Sequence, residues 1–275
     1  MKRLLAFGVG IIGFAVANAH AAAMFVDLRT ANSFAVLAGS TVTNTGPTTI
    51  IGSLGDAPGT TITGLLAVVA TGGTIHASDA VAFQAQSDLA TAYDFAAGEA
   101  SDFNLTGTDL GGLTLTPGVY TFASSAQLTG KLTLDGQGDP NAVFLFQIGS
   151  TLTTAGGSSV VSVNGGTGDS VFFQVGSSAT LGANTAFEGN ILALTSITLN
   201  TGSTIGCGRA LAHNGAVTLD TNTVSIDTAS CETATMNGAG GTTGGGGGTA
   251  VPEPASLAGL AVGLFGLSLS QRPKK

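Results

Sequence analysis

The side chains of this sequence that could carry out a reaction are its carboxylates, and they are scattered. The 275 residues include 16 Asp and Glu but only three His. Asp135 and Asp139 share the polar segment LDGQGDPN, while Asp169, Glu188 and Asp220 each stand apart. Enzymes that cleave polysaccharides need clustered carboxylates, usually with Arg, Lys or a metal ion. The spacing therefore predicts that the protein is not an enzyme and uses no cofactor. The LDGQGDPN segment could hold a calcium ion weakly, but a solvated turn is the better interpretation.

The two cysteines, Cys207 and Cys231, predict a disulfide rather than a metal site. In an exported chain an isolated pair most simply forms a bond. A metal site would need further ligands, and the only histidines are His20, His76 and His213. We expect His213 to lie in the core, because it falls at an inward position of the repeat described below.

The N-terminal segment has the organisation of a secretory signal peptide. Lys2 and Arg3 lead into an apolar run that ends in Ala17-Asn18-Ala19, an A-x-A cleavage pattern. The apolar run is shorter than the ~20 residues that a membrane-spanning helix needs. We therefore assign residues 1–23 to a signal peptide and predict that the protein is exported.

The C-terminal segment has the organisation of a second targeting signal. A glycine-rich linker, 236–250, precedes a tail, 251–275, that contains Pro252-Glu253-Pro254, an uncharged apolar stretch and a basic end. This tail resembles the PEP-CTERM sorting signal of Gram-negative bacteria. The resemblance implies transient anchoring in the inner membrane, cleavage by an exosortase, and release to the cell surface or medium. A permanent C-terminal transmembrane anchor is the alternative.

The charge of the central region, residues 24–235, excludes nucleic acid as a partner. Fifteen of the 16 acidic residues lie there, because only Glu253 lies outside it. Its only cations are Arg29, Lys131 and Arg209. Binding to a phosphate backbone needs clustered Lys and Arg.

A degenerate repeat runs through the central region. The segment FAVLAGSTVTNTGPTTIIGSLG from Phe34 aligns without gaps on FLFQIGSTLTTAGGSSVVSVNG from Phe144. Weaker copies begin at Tyr120, Val171, Ile191 and Leu211. Apolar residues alternate with a period of two, and Gly, Asn and Asp fall between the strands, where corners need positive φ. Because one coil cannot bury its apolar row alone, the pattern predicts stacked coils, a parallel β-helix.

One segment, about 78–97, predicts a helix within this otherwise all-β domain. Ser78 or Asp79 can cap it, Gly98 stands after it, and acidic residues are expected in its first turn. Its apolar stripe consists of Ala82, Ala85, Leu89, Ala92 and Ala96. The period-two alternation predicts that aromatic residues such as Phe144 and Phe146 point inward on one wall of the solenoid. Three outward positions on this same wall are also apolar: Leu145, Phe172 and Leu192. We expect the helix to cover them, although an oligomer contact would also explain an apolar outward row.

The ordered phrases FAVLAGSTVTNTGPT, TIHASDAVAFQAQSDLATAY, LTLTPGVYTF, GDPNAVFLFQIGSTLTT and NILALTSITLNTGSTI resemble the ice-binding protein family of bacteria, fungi, diatoms and algae. The resemblance covers about Leu28 to Asp227. It implies a right-handed β-helix of roughly triangular section with one long α-helix alongside, a discontinuous strand order, and a flat face that adsorbs to ice.

A second wall of the solenoid is predicted from the inward residues Leu128, Leu152, Leu181, Leu199 and Leu219. The candidate ice contact is the column of outward threonines on this wall, in which Gln127 replaces threonine in one coil. We predict that this column consists of Thr41, Thr151, Thr180, Thr198 and Thr218. Neighbouring candidates are Ser178, Ser196 and Thr153, and a Thr-Gly-x-Thr corner adds Thr201 and Thr204. Threonine is β-branched and therefore stiff at χ1, and an uncharged face suits ice. Asp220 is a flaw in such a face. Threonine is also favoured in any half-exposed strand, so a structural or adhesive role in an extracellular matrix is the alternative function.

Overall fold

The alternation of apolar and polar residues folds into a parallel β-helix. The computed structural model describes residues 25–65, 68–165 and 168–227. Its short strands pair in parallel with the equivalent strands of neighbouring coils. They form three walls, which we call the aromatic wall, the threonine face and the third wall. The prediction of a mainly β fold with one helix is confirmed.

The aromatic wall buries a stack of rings inside the solenoid. Ring centroids lie 5.1 Å apart between Phe103 and Tyr120, 5.3 Å between Tyr120 and Phe146, and 4.5 Å between Phe146 and Phe173. Offset stacking of this kind adds to the hydrophobic gain from burial. The strands of this wall are β1 (Phe34–Ala38), β4 (Ser53–Asp56), β7 (Ile75–Ala77), β8 (Phe103–Asn104), β10 (Gly118–Phe122), β13 (Phe144–Ile148), β16 (Val171–Val175) and the second halves of β18 (Ala186–Ala193) and β20 (Thr204–Ala212).

The threonine face is one sheet of seven short strands. In spatial order they are β11 (Ala126–Leu128), β14 (Leu152–Thr154), β17 (Ala179–Leu181), β19 (Ile197–Leu199), β21 (Val217–Asp220), β2 (Thr41–Thr45) and β5 (Thr61–Thr63). Apolar side chains such as Leu152, Leu181 and Val217 point inward and are fully buried.

The third wall closes each coil. Its strands are β3 (Thr48–Ile51), β6 (Val68–Thr71), β9 (Thr114–Leu115), β12 (Lys131–Asp135), β15 (Ser159–Val163), β22 (Thr223–Ser225) and the first halves of β18 and β20. In β18 and β20 the chain passes from this wall to the aromatic wall within one strand, with a register shift between Glu188 and Asn190.

The strand order is discontinuous, as the family resemblance implies. The N-terminal coil stacks on the C-terminal one, so that Val36 lies opposite Ala210 and Thr49 opposite Thr223. The second coil, which contains β4, β5 and β6, continues the stack beyond it. The chain must then return along the solenoid to begin β8 at the opposite end.

The return is made by α1 (Ala80–Gly98), close to the predicted 78–97. Asp79 caps it by accepting a hydrogen bond from the Ala82 amide at 2.9 Å. The first turn contains no acidic residue, contrary to expectation, because Asp79 is the cap itself. Gly98 is the last helical residue and Glu99 ends the helix.

The helix packs on the aromatic wall, as predicted. Four residues of its stripe, Ala85, Leu89, Ala92 and Ala96, share one buried apolar cluster with Leu145, Phe172 and Leu192. Polar groups reinforce this contact: Gln86 Nε2 donates to the Ala212 carbonyl at 3.1 Å, and the Tyr93 hydroxyl donates to the Val175 carbonyl at 3.3 Å.

Asp88 ties the helix to the N-terminal segment. Its carboxylate accepts hydrogen bonds from the Thr30 hydroxyl and amide. These bonds, led by the one from the hydroxyl, hold the pKa of Asp88 below its usual value against the effect of burial. The prediction for His213 is wrong: it is half-buried and faces the helix, with Nδ1 3.4 Å from Gln86 Oε1.

Several predicted features lie outside the described residues: the signal peptide, Cys231, the glycine-rich linker and the whole PEP-CTERM tail with Pro252, Glu253 and Pro254. Cys207 is described and fully buried in β20, and its pairing with Cys231 stays a prediction. Within the described part of the chain, no helix combines the length and the apolar character that crossing a membrane requires.

Candidate functional site

The threonine face presents three parallel rows of outward side chains. Strand register defines the central row, in which Thr180 lies opposite both Thr153 and Thr198. From one end of the sheet to the other the row reads Gln127, Thr153, Thr180, Thr198, Thr218, Thr43 and Thr63. Adjacent strands of a sheet lie ~4.8 Å apart, so the row is a ladder with that repeat.

The register corrects two positions of the predicted column. Thr41 and Thr151 do not share a row with Thr180; Thr43 and Thr153 do. Both segments contain Thr-x-Thr, and both threonines point outward because the side-chain period of a strand is two. Alignment of the sequence repeat cannot choose between them, whereas the inward pairing of Leu152 with Ala179 can.

The leading row, where the chain enters the face, contains the displaced candidates. It reads Ser125, Thr151, Ser178, Ser196, Ala216, Thr41 and Thr61. The hydroxyls of its serines and of Thr151 bond to neighbouring coils. Ser178 Oγ accepts from the Ser196 amide at 3.3 Å, and Ser196 Oγ accepts from the Ala216 amide at 3.2 Å. The Thr151 hydroxyl donates to Ser125 Oγ at 2.8 Å.

The trailing row, where the chain leaves the face, carries the one ionisable side chain in the seven described strands of this sheet, Asp220. This row contains Thr129, Ala155, Gly182, Asn200, Asp220 and Thr45. The Asp220 carboxylate accepts hydrogen bonds from the hydroxyls of Thr201 and Thr221. Thr201 is exposed in the corner turn, so it borders the face without joining a row.

Thr204 is not on this face. It begins β20 on the third wall, where it lies opposite Ala186 and Thr223. The Thr-Gly-x-Thr motif therefore spans a corner: Gly202, at φ 74°, turns the chain between its two threonines. The structure separates Thr204 from the other candidates.

A ladder of buried polar side chains lies inside this corner, and the sequence reading missed it. Its members are Thr48, Thr154, Ser158, Thr185, Ser203 and Asn222, all buried. Asn222 Nδ2 donates to the Asn200 and Ser203 carbonyls at 3.0 Å, and the hydroxyls of Thr154 and Thr185 lie 2.8 Å apart. These bonds satisfy backbone groups that turn away from the sheets, as buried polar groups require. The sequence does contain a signal for this ladder: a Ser, Thr or Asn directly precedes the third-wall strands β15, β18, β20 and β22.

The exposed side of the same corner requires positive φ in successive coils. Gly157, Asn184, Gly202, Thr221 and Gly46 all have φ between 56° and 74°. The other four are Gly or Asn, whereas Thr221 is β-branched, and a β-branched residue rarely adopts this conformation.

The central row ends in polar residues of a different type. Gln127 occupies its last strand, and Asp109 forms an isolated bridge with Gln127 beyond it. Burial raises the pKa of Asp109, but hydrogen bonds from the amides of Gly111 and Thr129 outweigh this and lower it. A charged carboxylate therefore closes this end of the row.

The other carboxylates do not converge on the face. Glu188 is buried in the third wall, where it accepts from the Ser162 amide at 2.9 Å. Asp135 accepts from Gln137 and Asn164 in an exposed turn. Within the described residues, no group of three or more His, Cys, Asp or Glu could hold a metal ion. The threonine face is thus suited to a passive contact with an uncharged surface.

Two sequence profiles match the chain. The ice-binding-like family matches residues 36–225, and the PEP-CTERM protein-sorting motif matches residues 250–272. An ice-binding protein of Nostoc sp. (strain HG1) is 54% identical over 276 residues, which cover 100% of this chain and 97% of that protein.

Solved structures agree in fold and sequence. An ice-binding protein from an Antarctic biological consortium superimposes with a TM-score of 0.72 at 48% identity, covering 74% of this chain and 92% of that one. The ice-binding protein of the ascomycete Antarctomyces psychrotrophicus gives a TM-score of 0.71 at 41% identity, covering 74% of this chain and 99% of that one.

Proposed function

Because this chain belongs to the ice-binding-like family, we propose that its β-helix domain adsorbs to ice through the threonine face. The observation that carries the proposal is the central row, in which six consecutive strands from β14 to β5 present a threonine at the same height. Adsorption at many points would inhibit ice growth or recrystallisation.

The physical basis is a match between a rigid protein lattice and ordered water. Threonine has a restricted χ1, so each hydroxyl and methyl is held in place before contact. Ordering on binding then costs little conformational entropy. Each contact is weak, and affinity comes from repetition along the row.

We propose that the N-terminal and C-terminal segments direct export of the protein. The proposed organisation is a signal peptide at 1–23, the ice-binding domain at 24–235, a linker at 236–250 and a sorting segment at 251–275. The PEP-CTERM match supports sorting to the cell surface or medium. In this proposal an exosortase cleaves near Pro252-Glu253-Pro254 after transient anchoring in the inner membrane, and a Cys207–Cys231 disulfide forms after export.

The test is ice-recrystallisation inhibition by the purified domain, residues 24–235. Domains of this extent are stable units in relatives, because the solved structures are matched over 92% and 99% of their own lengths. Thr180→Tyr should abolish inhibition, since a bulky side chain in the middle of the row lifts neighbouring threonines off the crystal. Its effect on folding should stay within about 0.5 kcal/mol, as for other outward substitutions.

Thr133→Tyr, an outward change on the third wall opposite Thr114 and Val161, is the control and should leave activity unchanged. If Thr133→Tyr lost activity and Thr180→Tyr kept it, the ice contact would lie on the third wall and not on the threonine face. An inactive wild-type domain would leave a structural role in the extracellular matrix.

A further inference from the structure

The hydroxyls of the leading and central rows differ in their bonding. In the leading row, Ser178 and Ser196 each accept a backbone N–H of the next coil. In the central row, Thr63 donates to the Val42 carbonyl at 3.4 Å. Among the described residues, the hydroxyls of the other five central threonines have no hydrogen-bond partner: Thr153, Thr180, Thr198, Thr218 and Thr43.

The hydrogen bonds to the Ser178 and Ser196 hydroxyls hold neighbouring coils together. At the start of β19 and β21 the chain has just turned the corner, and the amides of Ser196 and Ala216 bond to serine hydroxyls of the preceding coil. Both serines are only partly exposed. Each hydroxyl therefore acts as an acceptor for the backbone and fixes the height of the following strand against the preceding one.

The central threonines are built differently. Their backbone groups are paired within the sheet. Each has threonines above and below it in the row, except Thr153, which has Gln127 on one side. A hydroxyl without a protein partner at the surface bonds to water, and here five such hydroxyls repeat at the strand spacing of ~4.8 Å. Water bound to these hydroxyls would therefore repeat at the strand spacing.

We propose that the threonine face divides its hydroxyls between two tasks: the central threonines contact ice through water, whereas Ser178 and Ser196 are positioning residues that set the spacing of the coils. This assignment rests on the proposed function. It removes Ser178 and Ser196 from the ice contact predicted from the sequence, moves Thr153 from the edge of that contact into the central row, and adds Thr43.

The experiment compares two double variants of the domain. Thr180→Val with Thr198→Val removes two free hydroxyls and keeps the branched shape; Ser178→Ala with Ser196→Ala removes two bonded hydroxyls. Ice-recrystallisation inhibition and thermal hysteresis report ice contact, and melting followed by circular dichroism reports folding. The valine pair should lose activity by about tenfold or more with an unchanged melting temperature. The alanine pair should melt several degrees lower but keep its activity at 4 °C, where it is folded.

A second measurement guards against a variant that does not fold. The single variant Ser196→Ala loses the bond to the Ala216 amide but keeps the bond to the Ser178 hydroxyl. The variant Ser196→Thr has a hydroxyl at the same place, so the melting temperature of Ser196→Thr should equal that of the wild type. A folded alanine variant without activity, or a valine pair with full activity, would overturn the division of tasks alone. A wild-type domain without activity would overturn the proposed function and this inference together.

Discussion

Thr221 lies directly against Gly46 in the adjacent coil, so that a Cβ on Gly46 would collide with the Thr221 hydroxyl. Both residues have positive φ, 56° for Thr221 and 73° for Gly46. The corner beside the threonine face thus combines a strained β-branched residue with a glycine that makes room for it.

Thr221→Asn should therefore stabilise the domain. Left-handed backbone costs an L-residue roughly 1–2 kcal/mol, and asparagine tolerates it best after glycine. Asn184 already occupies the equivalent place in another coil, with φ 57°. We expect a gain of about 0.5–1 kcal/mol in the free energy of unfolding, measured by urea titration. Gly46→Ala is the matched opposite and should cost more than about 1 kcal/mol, because it meets both the strain and the collision. A Thr221→Asn protein that melts lower than the wild type would show that this corner is not strained.

Leu89→Asp tests the helix contact. Leu89 is 1% exposed and packs in the cluster with Leu145 and Phe172. An unpaired carboxylate there should destabilise the fold by about 3 kcal/mol or more. Phe83→Asp, on the outer side of the same helix at 48% exposure, is the control and should change stability little. Equal melting temperatures for Leu89→Asp and the wild type would mean that the helix leaves the wall without cost.

Glu188 predicts a pH dependence of stability. Burial, the largest effect, raises its pKa above the usual value, and hydrogen bonds from Ser162 and Gly168 offset this only in part. A pKa raised in the folded state means that the contribution of the neutral acid is fully present below the unfolded-state pKa and is lost as pH rises through the folded-state value. Glu188→Gln should therefore melt higher than the wild type at pH 8, and the difference should shrink towards pH 4. A difference that grows as the pH falls would contradict the direction of the shift.

The sequence predicted which residues point inward on each wall, but it did not predict which residues of neighbouring strands lie opposite one another. Period-two alternation around Phe144 and Phe146 predicted the inward aromatic row, and the stripe through Leu89 predicted both the helix and its contact surface. Register within the threonine face was lost because Thr41 and Thr43 are equivalent in hydropathy, and only the pairing of inward Val42 with Val217 distinguishes them.

The inner polar ladder was missed for a related reason. Ser203 and Asn222 look like turn residues in sequence, and their burial is visible only when the coils are stacked. A polar residue at a corner is ordinarily solvated, whereas here it supplies hydrogen bonds to carbonyls of its own and neighbouring coils.

The predicted disulfide is tested by mass. If Cys207 and Cys231 are bonded, reduction should add two hydrogen atoms to the intact mass, and the denatured, unreduced protein should not react with thiol reagents. Loss of the bond should cost on the order of 2–4 kcal/mol. Labelling of two thiols in the unreduced protein would show that both cysteines are reduced.

Gln127→Thr should increase ice activity, because it extends the central row by one threonine. Gln127 is exposed and lies opposite Thr153, so a threonine there would continue the ladder in register. One added weak contact of about 0.5–1 kcal/mol corresponds to roughly a two- to fivefold gain. The control is Ala186→Thr, which adds an outward threonine beside Thr204 on the third wall and should leave activity unchanged. Thermal hysteresis at matched concentrations decides between them: a gain in both variants would mean that added threonine on any wall suffices, and a gain in Ala186→Thr alone would move the ice contact to the third wall.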